Sequence, residues 1–346
     1  MNRLSYLIRR LLLVIPTFLG ITVVCFALTR LLPGGPVDIQ LMKMRNIGGA
    51  NDRSSATVTQ VTEEYRQELN RQFGFDRPLV VQYVDWLVDK RMGMRIASYD
   101  YPNRTAWHLI ASRFPVSLWF GIISFVLSYL ICIPLGIAKA LRHRQTFDAV
   151  SSLIVFAGYA IPAFALGMVL KMLFCGTVEG LGDFFPLGGF ESDLAVSATW
   201  GTRLADRAWH MVVPVACYVA GNFAVLTLIM KNSLLDQIAS DYVRTVLAKG
   251  ATRRRAIWGH AFRNALIPVA TGFGSILGVL FAGSIIIESI FEIPGMGRLS
   301  WEALTGRDYA VFLALLALTS LLQLIGNLLS DFCYLLIDPR IHFGQS

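Results

Sequence analysis

The residues of this 346-residue chain best suited to hold a metal or to act as nucleophile and base are five histidines and five cysteines, and their spacing supports neither role. His108, His143, His210, His260 and His342 stand singly. Cys25, Cys132, Cys175, Cys217 and Cys333 form no CxxC pair and lie in or beside apolar runs, where thiols serve as small apolar fillers. HExxH and GxSxG are missing, and no Gly-Lys pair exists from which a GxxxxGK[ST] phosphate loop could be built. Catalysis, a bound metal and ATP hydrolysis by this chain itself are therefore not expected. What clusters instead is positive charge: Lys231, Arg244, Lys249, Arg253, Arg254, Arg255 and Arg263 share residues 231–263. Within that stretch Asp241 can cap a helix through Lys249, Gly250 can end it in the left-handed conformation, and Thr252 can cap a second, basic helix. Val243, Val246 and Leu247 form an apolar stripe with no core of its own to enter. The chemistry on offer is docking, to a partner protein or a lipid interface; an ordinary basic membrane loop is the competing reading.

The elements that must position this segment are membrane helices. Hydrophobic residues make up 55% of the chain and charged residues only 16%, against roughly 25% charged in soluble domains. Six runs contain no Asp, Glu, Lys or Arg: residues 11–29, 114–138, 149–170, 208–230, 264–287 and 309–330. Each is long enough to cross about 30 Å of hydrocarbon at 1.5 Å per residue. Continuous apolar runs do not show the alternation of a barrel, so the expected fold is an all-α integral membrane protein with six transmembrane helices. Pro16, Pro134, Pro162, Pro214 and Pro268 are expected to kink helices. The first run lacks a small-x-small cleavage site and reads as a retained anchor rather than a signal peptide.

Connections on the side of the N-terminus carry 14 Lys and Arg against 5 acids, and those on the other side 17 against 18. The positive-inside rule places both termini in the cytoplasm. The overall charge of +8 then reflects topology and attraction to anionic lipid, and nucleic acid need not be invoked. The chain divides into residues 1–32, holding the first span, an external subdomain over 33–112, and a five-helix core over 113–346 whose cytoplasmic loop is 231–263. In the external part, residues 61–73 read as a solvated helix. The aromatic, turn-rich Phe184-Phe185-Pro186-Leu187-Gly188-Gly189 suits an interface with lipid or protein. No acid or base falls inside a run, which disfavours a self-powered secondary carrier.

Several motifs in order resemble the permease subunits of ATP-binding-cassette importers for dipeptides and oligopeptides. They are Leu7-Ile8-Arg9-Arg10-Leu11 with Leu31-Leu32-Pro33-Gly34-Gly35-Pro36, then Phe75-Asp76-Arg77-Pro78-Leu79, then Asp241-Tyr242-Val243-Arg244-Thr245 continuing to Ala248-Lys249-Gly250. His260-Ala261-Phe262-Arg263-Asn264, Ile293-Pro294-Gly295-Met296-Gly297, Arg307-Asp308-Tyr309 and Ile337-Asp338-Pro339-Arg340 follow. The chain departs from the wider pattern at Arg244-Thr245-Val246, where Glu-Ala-Ala often stands, and at Lys90-Arg91-Met92-Gly93-Met94-Arg95, where many relatives carry a Gly-Asp-Phe-Gly-like turn. Gly158-Tyr159-Ala160-Ile161-Pro162, Trp209-His210 and Asp338-Pro339-Arg340-Ile341-His342-Phe343 look most like the Yej-type branch, which takes up oligopeptides and the peptide-nucleotide antibiotic microcin C.

The resemblance implies a type I importer permease of the bacterial inner membrane, paired with a second homologous permease, ABC ATPase subunits and a periplasmic peptide-binding protein. ATP and Mg would reside on the ATPases, with no cofactor on this chain. Asp241, Tyr242, Arg244, Ala248, Lys249, Gly250, Arg254 and His260 would form the ATPase-coupling site. Asn222, Thr227, Thr271 and Ser275 would line the peptide path, or instead hydrogen-bond neighbouring helices. Gly274 and Gly278 make a GxxxG pattern that would permit close helix approach at the permease interface, or merely ease internal packing. Related systems importing nickel, glutathione or dipeptides compete on substrate, and a channel or a scaffold competes on class.

Overall fold

The computed structural model describes residues 3–31, 35, 37–38, 41, 56–178, 182–193, 199–271 and 283–337. Among them every extended element is a helix; the only β features are isolated bridges at Ala97–Thr105 and Cys175–Asp183. In chain order the helices are α1 (Arg3–Leu31), α2 (Ala56–Phe73), α3 (Leu79–Val84, continued by a π turn Asp85–Asp89) and α4 (Ala106–Leu141). There follow α5 (Thr146–Ala160), α6 (Ala163–Phe174), α7 (Trp200–Ala239), α8 (Asp241–Ala248), α9 (Arg253–Ala256, continued by a π turn Ile257–Ala261) and α10 (Phe262–Thr271). The last are α11 (Ile285–Ile290), α12 (Met296–Thr305) and α13 (Tyr309–Ile337).

Three helical stretches, Ile8–Leu31, Ala106–Leu141 and Tyr309–Phe332, are long and apolar enough to cross a membrane alone. Two bent pairs, α5 with α6 and the two parts of α7, pass the same test together. Pro16, Pro134, Pro214 and Pro268 sit inside helices. Pro162 does more than kink: it separates α5 from α6, whose axes meet at 93°. Proline has no amide to give and forces its predecessor out of the helical region, and Ile161 is extended at φ −84°, ψ 120°. The fifth apolar run holds α10 to Thr271 and a separate α11 capped by the Ser284 hydroxyl, which accepts from the Ile287 amide at 3.3 Å. Gly274, Ser275 and Gly278 fall between them, outside the described residues, as does the 338–343 tail.

The chain forms two compact units, residues 13–113 with 299–321, and residues 1–12 with 114–298 and 322–346. In the first, Phe26, Trp86, Leu313 and Ala317 make a buried core, and Tyr83 joins it edge-on to Phe26 while its hydroxyl meets Thr22 at 2.9 Å. The unusual turn of residues 90–95 proves left-handed at three consecutive positions, Arg91 (φ 49°), Met92 (58°) and Gly93 (80°). Gly93 is needed there, because a Cβ would lie 2.6 Å from Trp86 Nε1.

Asp308 holds the same unit together. One carboxylate oxygen accepts from the Ser98 hydroxyl and from the amides of Tyr99 (3.1 Å) and Asp100 (3.4 Å), and the other caps α13 through the Val311 amide at 3.3 Å. Asp308 is only 2% exposed, so removing it strands several donors. Asp308→Ala is expected to cost about 3 kcal/mol, from a lost cap and unsatisfied buried groups. A thermal unfolding midpoint unchanged in detergent would contradict this role.

In the second unit α7 is the hub, packing against α5, α6, α10 and α11. Two buried clusters surround it. One contains Phe120, Met211, Cys217, Phe291 and Ile293; the other contains Ile137, Met230, Leu234, Val243, Ala261, Ala265 and Val269.

Candidate functional site

The segment from Lys231 to Arg263 is the second half of a continuous path of helices. α7 ends at Ser240, an extended residue (φ −70°, ψ 153°) from which α8 starts. Ser240, not Asp241, therefore occupies the cap position. Asp241 is the first helical residue, where its charge favours the positive helix end and meets Arg244 at 3.4 Å. Both side chains of that pair are largely in solvent, and it adds little stability. Gly250 follows α8 at φ +86°, and its amide donates to the Leu247 carbonyl at 2.9 Å. Thr252 caps α9 by accepting from the Arg255 amide at 3.3 Å. The π turn Ile257–Ala261 then delivers the chain into α10 with no intervening loop.

The apolar stripe is divided. Val243 is 2% exposed in the cluster with Met230, Leu234, Ile257 and Ala265, and Val246 packs against it; only Leu247, 41% exposed, faces outward. The expectation that the stripe has no core to enter is corrected: α8 turns back onto α7 and α10, which supply that core. Tyr242 Oη donates to Gln237 Oε1 at 2.7 Å and accepts from Asn264 Nδ2 at 3.1 Å, tying α8 to both neighbours. Asp241, Tyr242, Arg244, Ala248, Lys249, Gly250, Arg254 and His260 are all exposed, as are Arg253, Arg255 and Trp258. The arrangement is a rigid elbow with an apolar inner side fixed to the core and a cationic, partly aromatic outer side.

Beneath the elbow lies a buried charge cluster that the sequence reading overlooked. Asp148, on the first turn of α5, accepts from Lys231 Nζ of α7 at 2.7 and 2.9 Å. Lys139 Nζ of α4, fully buried, lies 3.4 Å from the same carboxylate and donates to Ser151 Oγ (2.9 Å), Ser152 Oγ (2.7 Å) and the Asp148 carbonyl (3.2 Å). The Arg144 amide donates to Asp148 at 3.3 Å, and His143 Nδ1 stands at 3.3 Å. With two ammonium groups on one carboxylate, the cluster ties α4, α5 and α7 by charge-assisted bonds.

A second buried carboxylate meets α4 farther toward its N-terminus, at Ser117. Glu288 on α11 is fully buried and accepts from Ser117 Oγ (2.9 Å) and from the amides of Ser284 (3.3 Å) and Arg298 (2.8 Å). Ser117 in turn accepts from the Met296 amide at 2.7 Å. Glycines make the cradle possible. A Cβ on Gly283 would lie 2.2 Å from Glu288 Oε1, and one on Gly295 would lie 2.5 Å from Oε2. The Ile293-Pro294-Gly295-Met296-Gly297 motif is thus a wrap around a carboxylate. Lys171 Nζ of α6 donates to the Ile290 carbonyl at 2.7 Å, and the Gly189 amide to the Phe291 carbonyl at 2.8 Å, fixing α11 from two further sides. Glu288 and Asp148 each lie one residue outside a charge-free run. The legible signal was glycine at 283, 295 and 297 flanking Glu288 and Glu292.

Of the path residues, Thr227 is fully buried, beside Cys132 of α4. Asn222 and Thr271 lie on α7 and at the end of α10, with their side chains outside the described residues. A groove of about 600 Å³ between α4, α5 and α7 is lined by apolar residues such as Ile123, Leu127, Ile154 and Val219. It offers none of the hydrogen bonds a peptide backbone requires.

Residues 132–343 match the family described as binding-protein-dependent transport system inner membrane component. The whole chain is similar to a peptidoglycan transport system permease protein YejB of Agrobacterium fabrum, 36% identical over 99% of each chain. It is likewise similar to an inner membrane ABC transporter permease protein YejB of Escherichia coli O157:H7, at 37% over 98% of this chain and 99% of the other. An oligopeptide transport system permease protein AppB of Bacillus subtilis is 31% identical over 98% of this chain and 99% of its own length.

Proposed function

Because this chain belongs to the family of inner membrane components of binding-protein-dependent transport systems, we propose that it is the permease subunit of an ATP-driven importer that carries oligopeptides across the inner membrane. Full-length similarity to proteins named for peptidoglycan and oligopeptide transport supports a peptide cargo, and peptide-nucleotide conjugates such as microcin C fit the same class. In this reading six spans cross the bilayer with both termini in the cytoplasm, following the asymmetry of Lys and Arg. The chain pairs with a second permease in the surrounding lipid, docks onto ABC ATPase subunits that hold ATP and Mg, and receives peptide from a periplasmic binding protein.

The observation that carries the mechanism is the elbow at Gly250. Its outer side presents Arg244, Lys249 and Arg254 to a partner, while Val243 roots its inner side in the core of α7 and α10. A push on the elbow therefore moves two transmembrane elements rather than a loop. ATP closure in the partner supplies the push, and this chain converts it into helix movement without acting as an enzyme.

The experiment is affinity purification of the chain from its native membrane, with stoichiometric partners identified by mass spectrometry. A second permease and a P-loop ATPase are expected. Arg254→Glu combined with Arg255→Glu is expected to lower ATPase recovery about tenfold while retaining the permease partner, as like charges replace complementary ones at the docking face. Recovery of the chain alone would reject the importer reading; undiminished ATPase in the double variant would reject docking through these arginines.

A further inference from the structure

We propose that α4 is a strut joining the cytoplasmic elbow to the outer segment 283–298, with Asp148 and Glu288 as the positioning residues that pin it at Lys139 and Ser117. The inference rests on the reading of the elbow as the ATPase-coupling site. At one end Lys139 of α4 shares Asp148 with Lys231, eight residues before the end of the α7 helix that carries the elbow. At the other end Ser117 of α4 bridges the Glu288 carboxylate and the Met296 amide. Ser117 and Lys139 stand 22 positions apart on one continuous helix that contains Pro134, a separation of about 33 Å at 1.5 Å per residue.

The face of α4 between the two pins is built to move as a body with its neighbours. Ser124, Ser128, Cys132 and Gly136 recur every fourth residue, and the first three are at most 6% exposed. Cys132 approaches the Phe223 carbonyl of α7, and Gly136 is pressed against Met230 and Thr227. A helix held by a buried carboxylate at each pin, with a small-residue face against α7 and Phe120 and Ile137 anchored in buried clusters between the pins, transmits displacement, since packed interfaces shift as units rather than deform continuously. The outer segment it reaches is also held by Lys171 and Gly189, so α6 and the turn at Gly188-Gly189 move with it.

The test uses the importer purified through this chain and reconstituted in phospholipid vesicles, with Glu292→Cys as reporter and a membrane-impermeant maleimide as probe. Glu292 lies in the outer segment with its side chain 69% exposed, and the chain without the added cysteine gives the background. In the reporter chain ATP is expected to change the labelling rate at least about fivefold, the lower end of ordinary allosteric coupling. Added to it, Asp148→Asn or Glu288→Gln is expected to abolish that ATP dependence in assembled complexes, and Asp148→Glu to restore it. Peptide uptake should fall about tenfold in either single variant and about tenfold, not a hundredfold, in the double, because independent distant sites would multiply. If Glu288→Gln fails to assemble, Ser117→Ala, which removes the bridging hydroxyl alone, serves for the outer end. ATP-dependent labelling that survives Asp148→Asn, or a hundredfold loss in the double variant, overturns the strut. A reporter chain that ignores ATP overturns the elbow reading, and the strut with it.

Discussion

Gly250→Pro is expected to abolish peptide uptake, by about a hundredfold or more, while the chain still assembles with its partners. Proline fixes φ near −65°, whereas Gly250 stands at +86° and also donates its amide to Leu247, a bond proline cannot make. The chain must then leave α8 in another direction, and Thr252 no longer starts α9 in register with α10. Space is not the obstacle, since a Cβ at this position would meet nothing within 4 Å. That separates strain from crowding. Gly250→Asn, which tolerates the left-handed region, should retain most uptake, and Gly250→Ala should fall between them at a cost of about 1 kcal/mol. Labelled-peptide uptake in cells lacking the native chain, at matched membrane levels, reads the series. Normal uptake with proline would remove the elbow from the mechanism.

Gly136→Leu is expected to be the most destabilising single change between α4 and α7. A Cβ there would lie 2.7 Å from the Met230 Cβ and 2.8 Å from the Thr227 carbonyl oxygen, and that oxygen belongs to a helix backbone. Accommodating leucine means forcing the two helices apart, which costs about 3 kcal/mol and disturbs the Asp148 cluster one turn away. Gly158→Leu is the matched control, because a Cβ at Gly158 meets nothing within 4 Å. Thermal unfolding of the purified complex should drop for Gly136→Leu and hold for Gly158→Leu. Equal midpoints would mean that the α4–α7 contact yields more readily than its spacing suggests.

These two glycines show what was legible in the sequence and what was not. The turn chemistry around Gly250 was readable because it is local: a left-handed glycine and a threonine cap announce themselves within a few residues. The tertiary use of glycine was not. Gly274 and Gly278 of the GxxxG pattern lie outside the described residues; a close helix approach within them falls at Gly136, in the run Ser124, Ser128, Cys132, Gly136 whose fourfold spacing was equally visible. Pro162 was recognised as a disturbance, yet its 93° outcome depends on where α6 finds α7 and α11 to pack against. Val243 looked stranded because its core is supplied by α7 and α10, elements whose neighbourhood a linear pattern does not reveal.

The buried acids escaped for a related reason. Ending each span at its first charge assigns Asp148 and Glu288 to water, although a carboxylate with several donors can be buried at modest cost. One donor to each, Lys231 and Ser117, comes from 83 and 171 positions away in the chain. By contrast, Asp308 was singled out within a motif, and its structure explains the motif as a helix cap and a clamp at once.

That clamp has a consequence for how the protein is made. Asp308 closes on Ser98, 210 residues earlier in the chain. At bacterial synthesis rates of about 5–20 residues per second, roughly 10–40 s pass between the emergence of the two. Throughout that interval the Tyr99 and Asp100 amides lack the acceptor they will finally use, and Trp86 and Phe26 await the Leu313 and Ala317 side chains that complete their core. The newborn chain is thus incomplete on this side until its last helix is inserted. Truncation shortly before residue 308 would leave a membrane-inserted product with donors and apolar surface still seeking partners, a ready substrate for quality-control proteases.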